Sequence, residues 1–230
     1  RTATLLPLIF VAFILGPAAA AEPIRFSFGG KAHPGFTHVA AETRFEPTRG
    51  FGFEPGSAIT SISDNDSGPS ASFVTASGPF LFTTRLPHEG NWRVTVTLGS
   101  LTAATTTTIK AELRRLMVER VTTQPGEQRQ VTFVVNTRTP GIQPAPGISA
   151  GEVRLKAPRE TIQEAWAWDQ ALTLEFAGEN PALRSLEIEP ADVPTLFLLG
   201  DSTVCDQSKE PYNSWGQTVS YTHLTLPTKA

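Results

Sequence analysis

A serine follows an apolar run near the end of the sequence, in a position where hydrolases often place a nucleophile. In the string FLLGDSTVCDQ the run ends at Gly200 and leads into Asp201, Ser202 and Thr203. A serine at the carboxyl end of a buried strand lies where open α/β sheets bind ligands, and the backbone N–H there can face a developing oxyanion. The spacing is not G-x-S-x-G, because Val204 occupies the fifth position. On spacing alone, a plain turn that ends a strand is the more common explanation.

The sequence contains no Asp-x-x-His pair that would activate this serine. Without a base, Ser202 carries an ordinary hydroxyl, which is a weak nucleophile at neutral pH. We interpret Cys205 as a small packing residue and do not assign His223 as a base. The string SDNDSG begins like a calcium loop, but its twelfth position is Thr75 and not Glu, which favours a solvated turn. We therefore expect no metal and no cofactor, and we take Ser202 and Asp201 as the candidate catalytic residues.

A longer string supports the interpretation of Ser202 as a catalytic residue. FLLGDSTVCDQ, followed by PYNSWGQ, resembles the opening block of the SGNH (GDSL) hydrolases, and within them the rhamnogalacturonan acetylesterase-like branch. The preceding strings RGFGFEPGS, WRVTVTLG and KAELRRLMVE resemble the galactose-binding-like β-sandwich that this branch often carries before its catalytic domain. The resemblance covers residues 24–217, and 199–217 is its most specific part.

The resemblance implies a serine esterase in the parent protein. Ser202 would be the nucleophile and, through its backbone N–H, an oxyanion donor, while Asp201 would support the turn. The substrate would be an acetylated plant cell-wall polysaccharide of the pectin type, deacetylated through an acetyl-serine intermediate. The family's second oxyanion glycine, its asparagine and its Asp-x-x-His pair have no counterpart here, so we expect this chain to be an inactive fragment. The alternative is a non-catalytic β-sandwich that binds glycan or packs on a partner.

Period-two alternation of apolar residues predicts a β-sandwich of jelly-roll, galactose-binding-like type over residues 22–192. The pattern is seen in NWRVTVTLG, RQVTFVVNT, LTLEF and LRSLEIEP, with Gly, Pro and Asn in the connections. The string AELRRLMVERV has helical spacing, yet its flanks favour a strand, which is our prediction. Trp166 and Trp168 could form a platform for sugar rings, although core or edge packing is the more common role of such a pair.

The continuous apolar run TLFLLG predicts a different kind of strand, buried on both faces of a parallel sheet. We expect it to be the first strand of a truncated α/β, flavodoxin-like SGNH domain over residues 193–217. Residues 218–230 depart from the family and look like a non-native tail, similar to a translated sequencing adapter.

The first 21 residues have the order of a secretory signal peptide. Arg1 precedes an apolar stretch, which is followed by small residues before Glu22. The stretch is shorter than the roughly 20 residues that span a bilayer. We expect a secreted or periplasmic protein that has no membrane contact after cleavage. The net charge of −3 gives no basic patch, so nucleic acid is not an expected partner.

Overall fold

The computed structural model describes residues 22–63, 68–198 and 200–218, and most of this part of the chain is β-structure. Short helical turns occur at Arg159–Gln163 (π), Ala165–Ala167 (3₁₀) and Trp215–Thr218 (α1). The strands are β1 Ile24–Phe28, β2 Thr37–Val39, β3 Phe51–Phe53, β4 Ile59–Ile62, β5 Phe73–Ala76, β6 Phe80–Arg85, β7 Gly90–Leu98, β8 Thr105–Ala111, β9 Arg115–Thr123, β10 Arg129–Thr137, β11 Gly141–Ile142, β12 Gly151–Glu152, β13 Ala171–Glu179 and β14 Ala182–Pro190.

The strands form two facing sheets. One sheet has the order β10-β7-β14-β1-β2, with β5 paired to β14 and β4 paired to β5, and the other has the order β3-β6-β13-β8-β9. Strand β1 pairs in parallel with β2, whereas its pairing with β14 is antiparallel, as is that of β7 with β10. Strands β11 and β12 form a small separate hairpin. The predicted mainly-β sandwich is therefore confirmed.

Alternating side chains from both sheets meet in one core. The buried residues are Trp92, Val94, Val96 and Leu98 on β7 and Leu172, Leu174 and Phe176 on β13. These are the inward positions that the alternation predicts. Aromatic rings take part in the contact between the sheets: the ring of Phe82 on β6 lies 5.0 Å from that of Phe28 on β1, edge to face. This packing closes the sandwich.

Residues 111–121 contain a hairpin turn and a strand, which confirms the predicted strand. The chain reverses at Glu112 and Arg114, both with a positive φ, and continues as β9. Strand β9 then carries a bulge, since Thr107 and Ile109 of β8 face Val121 and Val118. A bulge inserts one extra residue, so that the side chains after it exchange core-facing and solvent-facing positions. The residues whose spacing in the sequence is helical therefore form a turn followed by a bulged strand.

The predicted strand at TLFLLG does not form: residues 191–198 have no strand structure. Leu196, Phe197 and Leu198 are exposed, and no strand of the described residues pairs with them. A strand of a parallel sheet needs neighbours for its backbone N–H and C=O groups. Residues 195–198 are therefore not a buried strand in this structure. That residues 193–217 form the start of a truncated α/β domain stays a prediction.

The expected signal peptide, residues 1–21, lies outside the described residues, as does nearly all of the expected non-native tail, 218–230. Helices within the described ranges are all too short or too polar to cross a bilayer.

Candidate functional site

The turn that carries Ser202 is closed by the side chain of Asp201. Its Oδ1 accepts hydrogen bonds from the backbone N–H of Thr203 at 2.9 Å and from the Thr203 hydroxyl at 2.8 Å. The N–H groups of Val204 and Cys205 donate to the Asp201 carbonyl. The bond from the Thr203 N–H, followed by that from its hydroxyl, lowers the pKa of Asp201. The structure thus places Asp201 where a carboxylate stabilises this turn.

Ser202 itself is exposed on the turn. Its carbonyl accepts a hydrogen bond from the Gln207 side chain at 3.3 Å, while no described residue contacts its hydroxyl by a hydrogen bond. The Cys205 thiol donates to the Gly200 carbonyl. His38 and His88 bond to the carbonyls of Gly29 and Glu89, in the sandwich. The nucleophilic role of Ser202 therefore stays a prediction, and His223 lies outside the described residues.

The string NSWGQ forms the capped N-terminus of helix α1, a role that was not predicted from the sequence. The Gln217 N–H donates to Ser214 Oγ at 3.1 Å, and the Ser214 N–H donates to Gln217 Oε1 at 2.9 Å. This reciprocal pair is the S-x-x-Q capping box. The Trp215 N–H donates to the Thr203 carbonyl, which ties the helix start to the Ser202 turn. The S-x-x-Q spacing was the sequence signal that could have revealed it.

The side chain of Gln217 also anchors this segment to the sandwich. It is buried, and its Nε2 donates to the Leu113 carbonyl in the β8–β9 turn at 2.5 Å and to the Gln207 carbonyl at 3.0 Å. Since Gln207 in turn donates to the Ser202 carbonyl, two glutamine side chains connect the sandwich to the Ser202 turn. We call Lys110, Leu113, Arg114 and Arg115 the dock, because the segment 200–218 contacts the sandwich there.

Charged contacts surround the glutamine anchor. Arg114 Nη2 donates to Asn213 Oδ1 at 2.5 Å and to Glu210 Oε1 at 3.2 Å. Lys110 Nζ lies 3.2 Å from the same Glu210 carboxylate. Exposed ion pairs contribute about 0–1 kcal/mol each, so we assign most of the anchoring to the buried Gln217. The charged pairs set the orientation of the segment on the dock.

A partly buried charge cluster includes Arg115 of the dock. Arg115 Nε is 3.7 Å from Asp206 Oδ2, and the Arg138 guanidinium lies 4.6 Å from the centre of the Trp168 ring. Burial raises the pKa of Asp206, and the two arginines oppose that rise. Burial likewise raises the pKa of Glu112 to about 8. At neutral pH Glu112 is therefore mostly protonated, and Asp206 is the carboxylate next to the two guanidinium groups.

The long connection from β10 to β13, residues 138–170, carries the most open apolar surface of the sandwich. Ile148, Val153, Ile162 and Trp166 are exposed there. A shallow cleft of about 320 Å³ is lined by Glu152, Val153, Arg154, Leu155 and Thr161. Trp168 does not join Trp166 in an open platform, because Arg138 covers its ring. Trp168 therefore takes the packing role that was favoured for this pair, and Trp166 is the ring that remains exposed.

The described residues contain no cluster of three or more His, Cys, Asp or Glu that could hold a metal ion. Asp64 and Asp66, from the calcium-like string, lie outside them.

Comparisons with known proteins identify the fold. No family model and no curated protein matches the chain. The crystal structure of protein YXIM from Bacillus subtilis superposes with a TM-score of 0.53 at 24% identity, covering 85% of this chain and 50% of that one. The chain thus spans half of that protein. A family 35 carbohydrate-binding module from Clostridium thermocellum covers 74% of this chain and 100% of its own, at 8% identity and a TM-score of 0.38. A β-glucuronidase from Bacteroides uniformis covers 74% and 18%, at 7% identity and 0.46.

We expect Gln217→Ala to release the segment 200–218 from the dock. The variant loses the donor to Leu113 and Gln207 and one half of the capping box. Hydrogen exchange at the Val204 and Trp215 amides should accelerate by at least about tenfold, which corresponds to about 1.4 kcal/mol. The matched control is Thr218→Ala, whose hydroxyl contacts carbonyls of its own helix. Equal protection in both variants would rule out the anchoring role of Gln217.

We also expect stability to fall as the pH rises through the pKa of Glu112. The folded-state pKa, about 8, lies above the ordinary value of 4.5, so the folded chain binds more protons between these values. The stabilisation is full below about pH 4.5 and is lost as the pH passes about 8. Thermal unfolding from about pH 6.5 to about pH 9 should show a decline in wild type that is smaller in Glu112→Gln. Asp169, with a pKa of about 6, titrates mainly below this window.

If wild type and Glu112→Gln lose melting temperature in parallel over this window, Glu112 is not the titrating group. The Gln side chain keeps an acceptor for the Thr173 N–H, which donates to Glu112 Oε1 at 3.1 Å. The comparison therefore isolates the charge from the hydrogen bond.

Proposed function

We propose that this chain is a non-catalytic β-sandwich module that binds polysaccharide and packs against the segment carrying Ser202. The observation that carries the binding role is the connection 138–170. Long connections on a rigid sandwich commonly hold binding residues, and this one carries both an exposed indole and a shallow cleft. Glu152 and Arg154 in that cleft supply an acceptor and a donor for hydroxyl groups. The Trp166 ring offers an apolar face for a sugar ring.

The packing role is supported by the dock. The segment 200–218 contacts the sandwich through a buried glutamine and an arginine that bonds to Asn213 and Glu210. Contacts of this kind hold the Ser202 turn in one orientation without giving Ser202 a base. The sandwich would therefore serve as a support for that turn and not as part of its chemistry.

A second candidate function, a serine esterase in a longer protein, is favoured by the exposed Ser202 turn. Its carboxylate-closed geometry and its resemblance to the SGNH opening block suit a nucleophile that attacks an acetyl ester. Acetylated pectin-type polysaccharide is the substrate that the resemblance implies. We assign no activity to this chain itself, because a serine hydroxyl without a base is a weak nucleophile.

Polysaccharide binding can be tested by affinity electrophoresis of the chain in gels that contain pectin, galactan, xylan or dextran. We expect at least one polysaccharide to retard the wild type and Trp166→Ala to migrate more freely in it. Trp215→Ala removes another exposed indole and should behave like the wild type. A wild-type chain that is retarded by none of the four would overturn the proposed function.

Activity can be tested on 4-nitrophenyl acetate. We expect the chain and its Ser202→Ala variant to hydrolyse this ester at the same rate, because no described residue bonds to the hydroxyl and the sequence has no Asp-x-x-His pair. A triad raises the rate by several orders of magnitude, so a large loss in Ser202→Ala would show that a complete site forms.

A further inference from the structure

Both ends of the long connection 138–170 are fastened to one short turn of the sandwich. This turn, residues 86–89, joins β6 to β7 and lies next to the end of β10, where Thr137 pairs with Gly90. We call it the clamp. Closing a long loop costs conformational entropy, so the contacts that fix its two ends determine how well the loop is ordered.

The beginning of the connection is held by the carboxylate of Glu89. Its Oε2 accepts two hydrogen bonds from Thr139, one from the backbone N–H at 2.8 Å and one from the hydroxyl at 2.6 Å. Both residues are half-buried. Hydrogen bonds to a carboxylate are roughly twice as strong as those between neutral groups. Glu89 therefore fixes both the backbone and the side chain of Thr139.

The end of the connection is held by the backbone of the same clamp. Gln170 Nε2 donates to the Leu86 carbonyl at 3.2 Å and to the Pro87 carbonyl at 2.8 Å. The Leu86 N–H donates in return to the Gln170 carbonyl at 3.1 Å. Thr139 and Gln170, which lie at opposite ends of the connection, are therefore both bonded to the clamp.

The contact at Thr139 leads directly to the shallow cleft of the connection. The next residue, Pro140, accepts a hydrogen bond from the Val153 N–H at 2.7 Å. Gly141 then pairs with Glu152 in the hairpin of β11 and β12. Both Glu152 and Val153 line the cleft. The clamp is thus joined to the cleft wall through neighbouring residues and one short backbone hydrogen bond.

We propose that Glu89 is a positioning residue for polysaccharide binding, which holds the β11–β12 hairpin so that Glu152 and Val153 keep one arrangement in the cleft. Glu89 is not itself a lining residue of that cleft. A site whose groups are fixed before binding loses less conformational entropy when the ligand binds, so a residue that supports the lining changes affinity without touching the ligand. This inference rests on the proposed polysaccharide binding and adds a residue from outside the connection.

The test weakens the contact between Glu89 and Thr139 from both sides. Glu89→Ala removes both hydrogen bonds, whereas Glu89→Gln keeps an oxygen that can accept them. Thr139→Val removes the hydroxyl and keeps the backbone N–H. Glu127→Ala is the matched control, because the Glu127 carboxylate likewise accepts a backbone N–H, from Gln124 at 2.9 Å, in the turn at the other end of β10. Affinities are measured by titration calorimetry with the polysaccharide that retards the wild type most.

We expect Glu89→Ala to weaken binding by at least about tenfold, Glu89→Gln to recover most of the loss, and Glu127→Ala to stay within about twofold of wild type. Thr139→Val should weaken binding less, and adding it to Glu89→Ala should cause no further loss, because both changes remove the same bond. Without polysaccharide, hydrogen exchange at the Val153 amide should accelerate in Glu89→Ala and recover in Glu89→Gln.

Wild-type affinity in Glu89→Ala would overturn this inference and leave the proposed function intact. A loss of affinity that Glu127→Ala shares, or that Glu89→Gln does not recover, would reveal a general effect on the fold and would also overturn it. Melting temperatures of the variants, compared with that of Glu127→Ala, identify such a general effect. A wild-type chain that binds no polysaccharide would overturn both the inference and the proposed function.

Discussion

Everything in this structure depends on the aromatic contact between the two sheets. The ring of Phe82 in one sheet lies within 5.1 Å, centre to centre, of the rings of Phe26 and Phe28 in the other, both edge to face. Such pairs contribute about 0.5–1.5 kcal/mol beyond the burial of their area. Because the faces are joined in this way, the strand ends and turns at the rim are held at fixed positions. The β8–β9 turn and the end of β10 are two of these places.

Burial at that rim changes the chemistry of the charged groups placed there. Removal of water raises the pKa of Glu112, so it accepts the Thr173 N–H as a mostly neutral acid at pH 7. Burial also raises the pKa of the Asp206 carboxyl, while the guanidinium groups of Arg115 and Arg138 lower it. Arg115 faces Asp206 of the docked segment at 3.7 Å and so takes part in holding that segment on the sandwich.

This arrangement fits the two proposed roles of the sandwich. It holds the Ser202 turn through Gln217, and it carries an open cleft in the connection 138–170. Arg184 illustrates how firmly the frame is held: it is fully buried, and its guanidinium donates to the Gly99 and Ser70 carbonyls. Hydrogen bonds from a charged group contribute about 1.5–3 kcal/mol. A frame of this stiffness suits a module that positions other groups.

The sequence alone determined the fold class, because alternation along strands such as β7 and β13 reports directly which side chains are buried. It also singled out Ser202 and Asp201, since a small, polar turn after an apolar run is a local feature. The state of residues 194–198 could not be predicted, because an apolar run becomes a strand only where neighbouring strands pair with it. The anchoring by Gln217 and the raised pKa of Glu112 were decided by the tertiary structure. Each arises where residues distant in the chain meet and exclude water. The local sequence predicts neither the contact nor the exclusion of water.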